Sequence, residues 1–282
     1  MEFDFSKVLV TGASGMVGSY VDFGIKTNRR SLDITDLKEA VAVVKKYNPR
    51  VILHLAAETD VDRCERDPEY AFLVNGVGTY NMSVAAREIG AKLVYISTAG
   101  VFDGEKETPY AVDDKPNPKN FYGHSKYLGE LAVRGNLENY LIVRVCWMMG
   151  GGPQKDQKFV AKIIQQLRDP AVKEIKAITD QIGTPTFGKD LVKGIKRLIN
   201  EGKTGIFHLP NAGSASRYDV AKKIVEIMKP GIPVVLVDSS YFSLDAKRTK
   251  NEVLEVDPGY MQPWQEALEE YLRTEWISQG SE

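Results

Sequence analysis

Tyr122 and Lys126 stand four residues apart in the segment FYGHSKYLGELAV, whose apolar spacing predicts a helix with both side chains on one face. A phenol with an ordinary pKa of about 10 exchanges protons poorly at neutral pH. An ammonium held beside it stabilises the phenolate and lowers that pKa, so the pair suits proton transfer to or from a substrate oxygen. A tyrosine and a lysine that merely share a surface face would have the same spacing, so the pair needs supporting residues.

Two hydroxyl residues, Ser97 and Thr98, close a predicted strand. Open parallel sheets present their ligand-binding residues at the carboxyl ends of the strands, and a hydroxyl at such a position can bind a carbonyl oxygen. The sequence therefore predicts a hydroxyl, a phenol and a lysine at one edge of a sheet.

A glycine loop follows the first predicted strand, KVLVT, and reads Gly12-Ala13-Ser14-Gly15-Met16-Val17-Gly18. This GxxGxxG spacing, placed after a strand and before a helix, lets the backbone turn tightly and approach a pyrophosphate closely. A plain tight turn would also contain these glycines, but the position in an alternating strand-helix pattern favours a dinucleotide. With the hydroxyl, phenol and lysine, the loop fits hydride transfer between a nicotinamide cofactor and a carbonyl.

The segment after the glycine loop is short, because only 13 residues separate Gly18 from Leu32. A full helix, a turn and a full second strand need more chain, so one of these elements must be shortened. The same segment carries Asn28-Arg29-Arg30 where an acidic ribose ligand is expected. Arginine there suits the 2′-phosphate of NADPH; two solvated arginines on a surface turn are the alternative.

These residues need a scaffold, and apolar β-branched runs that alternate with helical periods predict one. In the first half, the predicted strands are Lys7–Thr11, Val51–Leu55, Lys92–Ser97 and Tyr140–Val145. The predicted helices between them are Asp36–Tyr47 and Glu69–Ile89. We expect an α/β fold, a Rossmann-type doubly wound parallel sheet, in a dinucleotide-binding domain of residues 1–150. A smaller α/β substrate lobe would follow at 151–282, with an approximate boundary across which the chain can interleave.

Composition narrows the classes of partner. The 282 residues contain 37 Lys and Arg against 38 Asp and Glu, which gives no global attraction to nucleic acid or to an anionic membrane. Two cysteines in no CxxC pair and three isolated histidines predict neither a disulfide framework nor a metal site. The N-terminal residues are unlike a signal peptide and no apolar run reaches membrane-spanning length, so we expect a cytoplasmic location. The cysteine pattern favours a reducing compartment.

Eight motifs extend over nearly the whole chain. They are TGASGMVG at Thr11–Gly18, LDITD at Leu32–Asp36, HLAAETDVDRCERDP at His54–Pro68, VNGVGTYN at Val74–Asn81, YISTAGVFDG at Tyr95–Gly104, FYGHSKYLGE at Phe121–Glu130, VRVCWMMG at Val143–Gly150 and TDQIGTPT at Thr179–Thr186. With these motifs the sequence resembles the extended short-chain dehydrogenase/reductase superfamily and, within it, the dTDP-4-dehydrorhamnose reductase family.

The resemblance implies reduction of the C4 ketone of dTDP-4-dehydro-β-L-rhamnose by NADPH, with NADH possible, in nucleotide-sugar and surface polysaccharide synthesis. It implies that Tyr122 donates the proton, Lys126 tunes its pKa and binds ribose, Thr98 polarises the carbonyl, and Trp147 lies along the substrate. It further places Asp33 and Ile34 against the adenine, and Ala56, Ala57 and Thr59 on the nicotinamide side. The full set of implied cofactor contacts comprises Gly12, Ser14, Gly15, Met16, Val17, Gly18, Arg29, Asp33, Ile34, Leu55, Ala56, Ala57, Thr59, Ser97, Tyr122 and Lys126. No metal site is carried over, and a homodimer is expected from the family alone.

Alternatives stay open at this point. Asp33 could simply help to start the following helix, and Trp147 could be a core residue. Ala99-Gly100 follow Thr98 where the family more often has an Asp-Tyr pair, which leaves a reductase of another nucleotide-linked 4-keto sugar possible. A non-catalytic nucleotide-binding subunit is the other reading, because the resemblance extends to the regulatory β subunit of methionine adenosyltransferase.

Overall fold

The computed structural model describes residues 2–229, 231–256 and 259–278. The strands are β1 (Val8–Thr11), β2 (Ile25–Lys26), β3 (Val51–His54), β4 (Lys92–Thr98), β5 (Tyr140–Val145), β6 (Met148–Met149), β7 (Ile175–Ile178), β8 (Ile182–Gly183), β9 (Thr186–Phe187), β10 (Gly205–His208), β11 (Ala215–Ser216), β12 (Val234–Val237) and β13 (Asn251–Glu252). The α-helices are α1 (Leu37–Tyr47), α2 (Val61–Arg66), α3 (Pro68–Ala71), α4 (Gly78–Ile89), α5 (Phe121–Asn136), α6 (Gly152–Lys155), α7 (Phe159–Arg168), α8 (Gly188–Asn200), α9 (Arg217–Met228) and α10 (Trp264–Leu272).

The main sheet has six parallel strands in the order β10-β5-β4-β3-β1-β2. Its strands are continuous apolar runs because both faces are covered by helices. Leu9 and Ile52 pack on the face that carries α1 and α4, whereas Val8 and Leu53 pack on the opposite face with α8. This doubly wound parallel sheet confirms the predicted α/β fold class.

The segment after the glycine loop is shortened in both of its elements. A 3-10 helix at Val17–Tyr20 replaces the usual first helix, and β2 contains only two residues. The prediction that one element must be short is therefore confirmed, and the structure shortens the helix as well as the strand.

The predicted helix at Glu69–Ile89 is divided by a π-helical segment at Phe72–Val77, between α3 and α4. Asn75 lies in this wide turn, and its side-chain amide donates to the hydroxyl of Ser125 (3.0 Å) and to the carbonyl oxygen of Glu58 (3.0 Å). Single π turns are frequent at functional sites, and here the turn ties the segment after β3 to α5.

The remaining elements build a second core. Helices α7, α9 and α10 surround buried side chains such as Ile164, Phe187 and Tyr271. The chain returns to the main sheet in between, since α8 covers one of its faces and β10 is its edge strand. The boundary at residue 150 therefore stays a proposal, and residues 279–282 of the expected second lobe lie outside the described residues. Within those ranges, no helix combines the length and the apolar character needed to cross a bilayer.

Candidate active site

Thr98 and Tyr122 meet at the carboxyl edge of the main sheet. Thr98 ends β4, and its hydroxyl accepts a hydrogen bond from the Gly100 N–H (3.0 Å). Tyr122 lies in the first turn of α5, which the side chain of Asn120 caps by accepting from the Gly123 N–H (2.8 Å). Burial raises the pKa of Tyr122 above its ordinary value, against a hydrogen bond with the Thr98 side chain that lowers it. The phenol is therefore protonated at neutral pH and is available as a proton donor.

Lys126 lies one turn further along α5 and is 3% exposed. Its ammonium nitrogen sits 4.2 Å from the centroid of the Tyr95 ring. Burial lowers the pKa of Lys126 to about 7, although the carboxylate of Glu130 acts in the opposite direction. The charge on this lysine is thus sensitive to pH near neutrality, and its expected influence on the phenol of Tyr122 stays a prediction.

Ser97 points to the opposite side of β4 from Thr98, as neighbouring strand residues do. Its hydroxyl donates to the Glu130 carboxylate at 2.6 Å, which is also paired with Arg144 in the interior. The expected cofactor contact of Ser97 stays a prediction, and its side chain already has a partner.

His54 is a buried residue at the end of β3 that the sequence analysis did not single out. Its Nδ1 lies 2.7 Å from the Thr11 hydroxyl, its Nε2 lies 3.3 Å from the Thr79 hydroxyl, and its ring stacks on Tyr95 with centroids 5.9 Å apart. Burial, with a further contribution from the charge of Lys126, lowers the pKa of His54 to about 3, so the ring is neutral. A neutral histidine between two hydroxyls therefore supports the Tyr95 ring, against which the Lys126 ammonium lies, without adding a charge.

The glycine loop leaves β1 and packs against the segment after β3. Gly12 has a φ of 65°, and a Cβ there would lie 2.6 Å from the backbone nitrogen of Ala56. A Cβ on Gly15 would meet only the Gly12 carbonyl oxygen, at 3.3 Å, and both Ser14 and Gly15 are exposed. Glycine is thus required at the first position for packing, whereas the middle of the loop is open to a diphosphate.

Arg29, expected at the 2′-phosphate, and the two residues expected at the adenine, Asp33 and Ile34, lie in different environments. Arg29 is exposed, and its guanidinium donates to the Tyr70 hydroxyl (3.1 Å). Asp33 accepts hydrogen bonds from the backbone and hydroxyl of Thr35, which hold the pKa of its carboxyl below the usual value. Asp36, rather than Asp33, caps α1. Ile34 is buried in the core, so its side chain faces away from the surface.

The residues expected on the nicotinamide side, Ala56, Ala57 and Thr59, follow β3, as does the further expected cofactor contact Leu55. The Leu55 N–H donates to the Thr11 carbonyl oxygen at 3.3 Å, while Ala56 packs on the glycine loop and Ala57 is half-buried. The carbonyl and hydroxyl oxygens of Thr59 accept hydrogen bonds from the Lys158 ammonium, at 2.8 and 3.2 Å. This last contact joins the segment after β3 to the second core, and the region between the carboxyl edge of the main sheet and the second core is called the cleft below.

Trp147 follows β5 and is fixed from several sides. Its backbone has a φ of 35°, which is uncommon for any residue with a side chain. Its indole N–H donates to Glu252 at 2.6 Å, its ring packs on Gly183, and the carbon centre of the Arg217 guanidinium lies 3.6 Å from the ring centroid. Glu252 and Arg217 were missed by sequence reasoning, because they lie in no motif and far along the chain from Trp147.

Comparisons with known proteins agree on one family. The family model of the RmlD substrate binding domain matches residues 6–276. The spore coat polysaccharide biosynthesis protein SpsK of Bacillus subtilis is 32% identical over 281 residues, which cover 95% of this chain and 97% of that protein.

Two solved structures are similar over nearly the full length. The dTDP-4-dehydrorhamnose reductase of Yersinia enterocolitica is 38% identical with a TM-score of 0.87, covering 95% of this chain and 98% of that one. The dTDP-4-dehydrorhamnose reductase of Bacillus anthracis, solved in complex with NADP, is 34% identical with a TM-score of 0.88, covering 94% and 98%. The resemblance seen in the motifs is thereby confirmed, and the chain belongs to the dTDP-4-dehydrorhamnose reductase family.

Proposed function

We propose that this protein reduces the C4 ketone of dTDP-4-dehydro-β-L-rhamnose to dTDP-β-L-rhamnose, with NADPH as the preferred reductant. The observation that carries the proposal is the position of the protonated phenol of Tyr122 beside the Thr98 side chain, at the sheet edge where β4 ends. The names of the Yersinia and Bacillus anthracis relatives support this substrate, and the NADP complex of the latter supports the cofactor.

The residues at the sheet edge fit a dinucleotide. The open middle of the glycine loop at Gly15 would receive the pyrophosphate, and Arg29 would approach the 2′-phosphate beside Tyr70. Ala57 and Thr59 would line the nicotinamide side. NADPH bound in this way supplies the hydride that reduces the sugar carbonyl.

The reaction needs one proton, and Tyr122 is placed to deliver it. The hydroxyls of Thr98 and Tyr122 would both hydrogen-bond the carbonyl oxygen, which polarises the C4=O bond. As C4 gains the hydride, the proton of Tyr122 passes to the oxygen and completes the alcohol. A charged Lys126 then stabilises the phenolate left on Tyr122 until solvent returns its proton.

The proposal extends to the cellular setting and the assembly. Cys64 and Cys146 are both free and buried, which fits a reducing compartment, and we place the protein in the cytoplasm. We also propose a homodimer and a substrate-binding role for the second core. Cell fractionation tests the location, and sedimentation analysis tests the homodimer.

The deciding experiment follows NADPH absorbance with dTDP-4-dehydrorhamnose made in situ. Tyr122→Phe should lose nearly all turnover, by about 10²-fold or more, since it removes the proton donor. Tyr127→Phe, on the same helix, is the matched control and should keep it. Absence of turnover by the unaltered protein, with a different nucleotide-linked 4-keto sugar reduced instead, would correct the substrate. Tight NADPH binding without reduction of any keto sugar would overturn the enzymatic proposal.

A further inference from the structure

Arg217, the first residue of α9, carries a half-buried guanidinium that lies against two aromatic rings. Its carbon centre lies 3.6 Å from the centroid of the Trp147 ring and 4.9 Å from that of Phe159. Among the described residues, no carboxylate or carbonyl oxygen accepts a hydrogen bond from it. A guanidinium has five N–H donors, so this arginine is left with its hydrogen-bonding capacity free.

Burial lowers the pKa of Arg217 to about 10, with Glu252 acting in the opposite direction, so the group is still charged at neutral pH. Glu252 forms no salt bridge with Arg217, and its carboxylate accepts instead from the Trp147 indole and from the Thr249 hydroxyl (3.1 Å). Arg217 is half-buried, and a cation that has lost part of its hydration is unfavourable without a hydrogen-bonded anion. The surroundings of Arg217 therefore suit an anion that is brought in from outside the chain.

The neighbouring cations of the cleft already have partners. Arg248 pairs with the Asp62 carboxylate at 2.8 Å, and the ammonium of Lys158 donates to two oxygens of Thr59. Arg217 differs from both, because no oxygen of the described residues accepts a hydrogen bond from its guanidinium. Its own helix end adds no second anion site, because Ser216 and Asp219 form a capping box that occupies the first turn of α9.

Arg217 also lies on the reacting side of the cleft. The Cys146 sulfur lies 3.8 Å from a carboxylate oxygen of Glu252, and both groups influence the pKa of Tyr122 and that of Arg217, so the phenol and the guanidinium lie near the same pair of side chains. In a sugar held with its C4 ketone at Tyr122, the anomeric carbon lies across the ring and carries the diphosphate. The side chain of Trp147 would thus lie along the sugar, with Arg217 at its charged end.

We propose that Arg217 binds the diphosphate of the nucleotide-sugar substrate, using a guanidinium that the Trp147 ring holds in place. The choice of a nucleotide sugar rests on the proposed function, whereas the recognition of a diphosphate rests on this arginine. Planar, forked donors match phosphate oxygens bidentately, which a stacked arginine can offer without reorganisation.

The test is calorimetric titration of thymidine 5′-diphosphate into protein saturated with NADP⁺, which needs no turnover. Arg217→Gln should weaken binding by about 10- to 100-fold, as expected for the loss of a charge-assisted hydrogen bond. Arg217→Lys keeps the charge without the fork and should give a smaller loss. Arg168→Gln is the matched control, because Arg168 stacks on Trp276 at 5.1 Å outside the cleft and its loss should leave binding unchanged.

NADP⁺ affinity serves as the check that each variant is folded. If Arg217→Gln binds NADP⁺ normally and thymidine 5′-diphosphate within about two-fold of the unaltered protein, the proposal is overturned. The proposal is also overturned if the unaltered protein binds neither thymidine 5′-diphosphate nor uridine 5′-diphosphate. Diphosphate binding that depends on Arg217, together with no reduction of any keto sugar, would keep this inference and reject the proposed function.

Discussion

The carboxylate of Glu252 accepts the indole N–H of Trp147 at 2.6 Å and joins β13 to the turn that follows β5. Trp147 needs such a restraint, because its backbone has a φ of 35° and its ring packs directly on Gly183. Backbone strain of this kind persists only where the surroundings over-determine the conformation. Glu252 is therefore a positioning residue for the ring expected along the substrate.

Replacing Glu252 by Ala should raise the KM for the keto sugar about ten-fold and change kcat less, since a hydrogen bond to a charged group contributes about 1.5 kcal/mol or more. Steady-state kinetics at saturating NADPH measure both constants. Glu255→Ala is the control, because that exposed side chain lies three residues away on the same segment. A fall in kcat at unchanged KM would contradict the positioning role.

We expect deprotonation of Lys126 to cause the alkaline fall in the pH profile of kcat/KM. Its pKa is lowered by burial from 10.5 to about 7, so its charge is lost as the pH rises through about 7. The pKa of Tyr122 is raised by burial, and the phenol stays protonated over the same range. We therefore expect kcat/KM to fall about ten-fold per pH unit above this midpoint, as for loss of one required proton.

Lys126→Arg tests the assignment, since a guanidinium keeps its charge well above neutral pH. The variant should have lower activity but no limb near neutrality. A limb that stays at the same pH in Lys126→Arg would assign it to another group.

The buried pair of Glu130 and Arg144 predicts a large effect on stability. The Arg144 guanidinium donates to both carboxylate oxygens, at 2.9 and 2.8 Å, and the two side chains are 0% and 1% exposed. Glu130→Gln leaves a buried cation without its counter-charge and should lower the free energy of unfolding by about 3 kcal/mol or more. Urea denaturation measures the change. Glu201→Gln, which breaks an exposed pair with Arg197, should cost less than about 1 kcal/mol; equal losses would refute the argument.

Much of the main sheet could be predicted from the sequence, because its strands are short apolar runs buried on both faces. The segment Tyr140–Val145 is a strand with those bounds, and β4 extends one residue past its expected end. The division of the helix at Glu69–Ile89 could not be predicted. It depends on Asn75 bonding Ser125, a contact between distant segments that leaves no trace in local periodicity.

Some residues of the candidate site could likewise be predicted from the sequence, and others could not. Thr98, Tyr122 and Lys126 were found because a strand end and a helical spacing identify them locally. Arg217 and Glu252 were not, because the chain brings them to Trp147 only through the second core, and a single arginine or glutamate in the sequence carries no signal of its own.

The cofactor preference is predicted by the arginines after β2. Arg29 is exposed and oriented by the Tyr70 hydroxyl at 3.1 Å, which places a cation where a 2′-phosphate is expected. Replacing Arg29 and Arg30 together by Ala should raise the KM for NADPH about ten-fold or more and leave that for NADH nearly unchanged. Arg87→Ala, an exposed site on α4, is the control. Equal effects on the two cofactors would remove the arginines from 2′-phosphate recognition.

The glycine loop separates packing from ligand binding within four residues. Gly12→Ala should destabilise the fold by about 1–2 kcal/mol or more, because an ordinary residue is strained at a φ of 65° and its Cβ would meet the Ala56 backbone at 2.6 Å. Gly15→Ala should leave the melting temperature nearly unchanged, since its Cβ meets only the Gly12 carbonyl oxygen at 3.3 Å.

The same Gly15→Ala methyl group would stand where the diphosphate of the cofactor approaches the loop. We therefore expect NADPH affinity to fall about ten-fold, comparable to the loss of one charged hydrogen bond. Thermal melts and NADPH fluorescence titrations on the two variants measure stability and binding separately. Normal NADPH binding by Gly15→Ala would place the pyrophosphate away from the loop, and the assignment of the cofactor contacts along it would have to be abandoned.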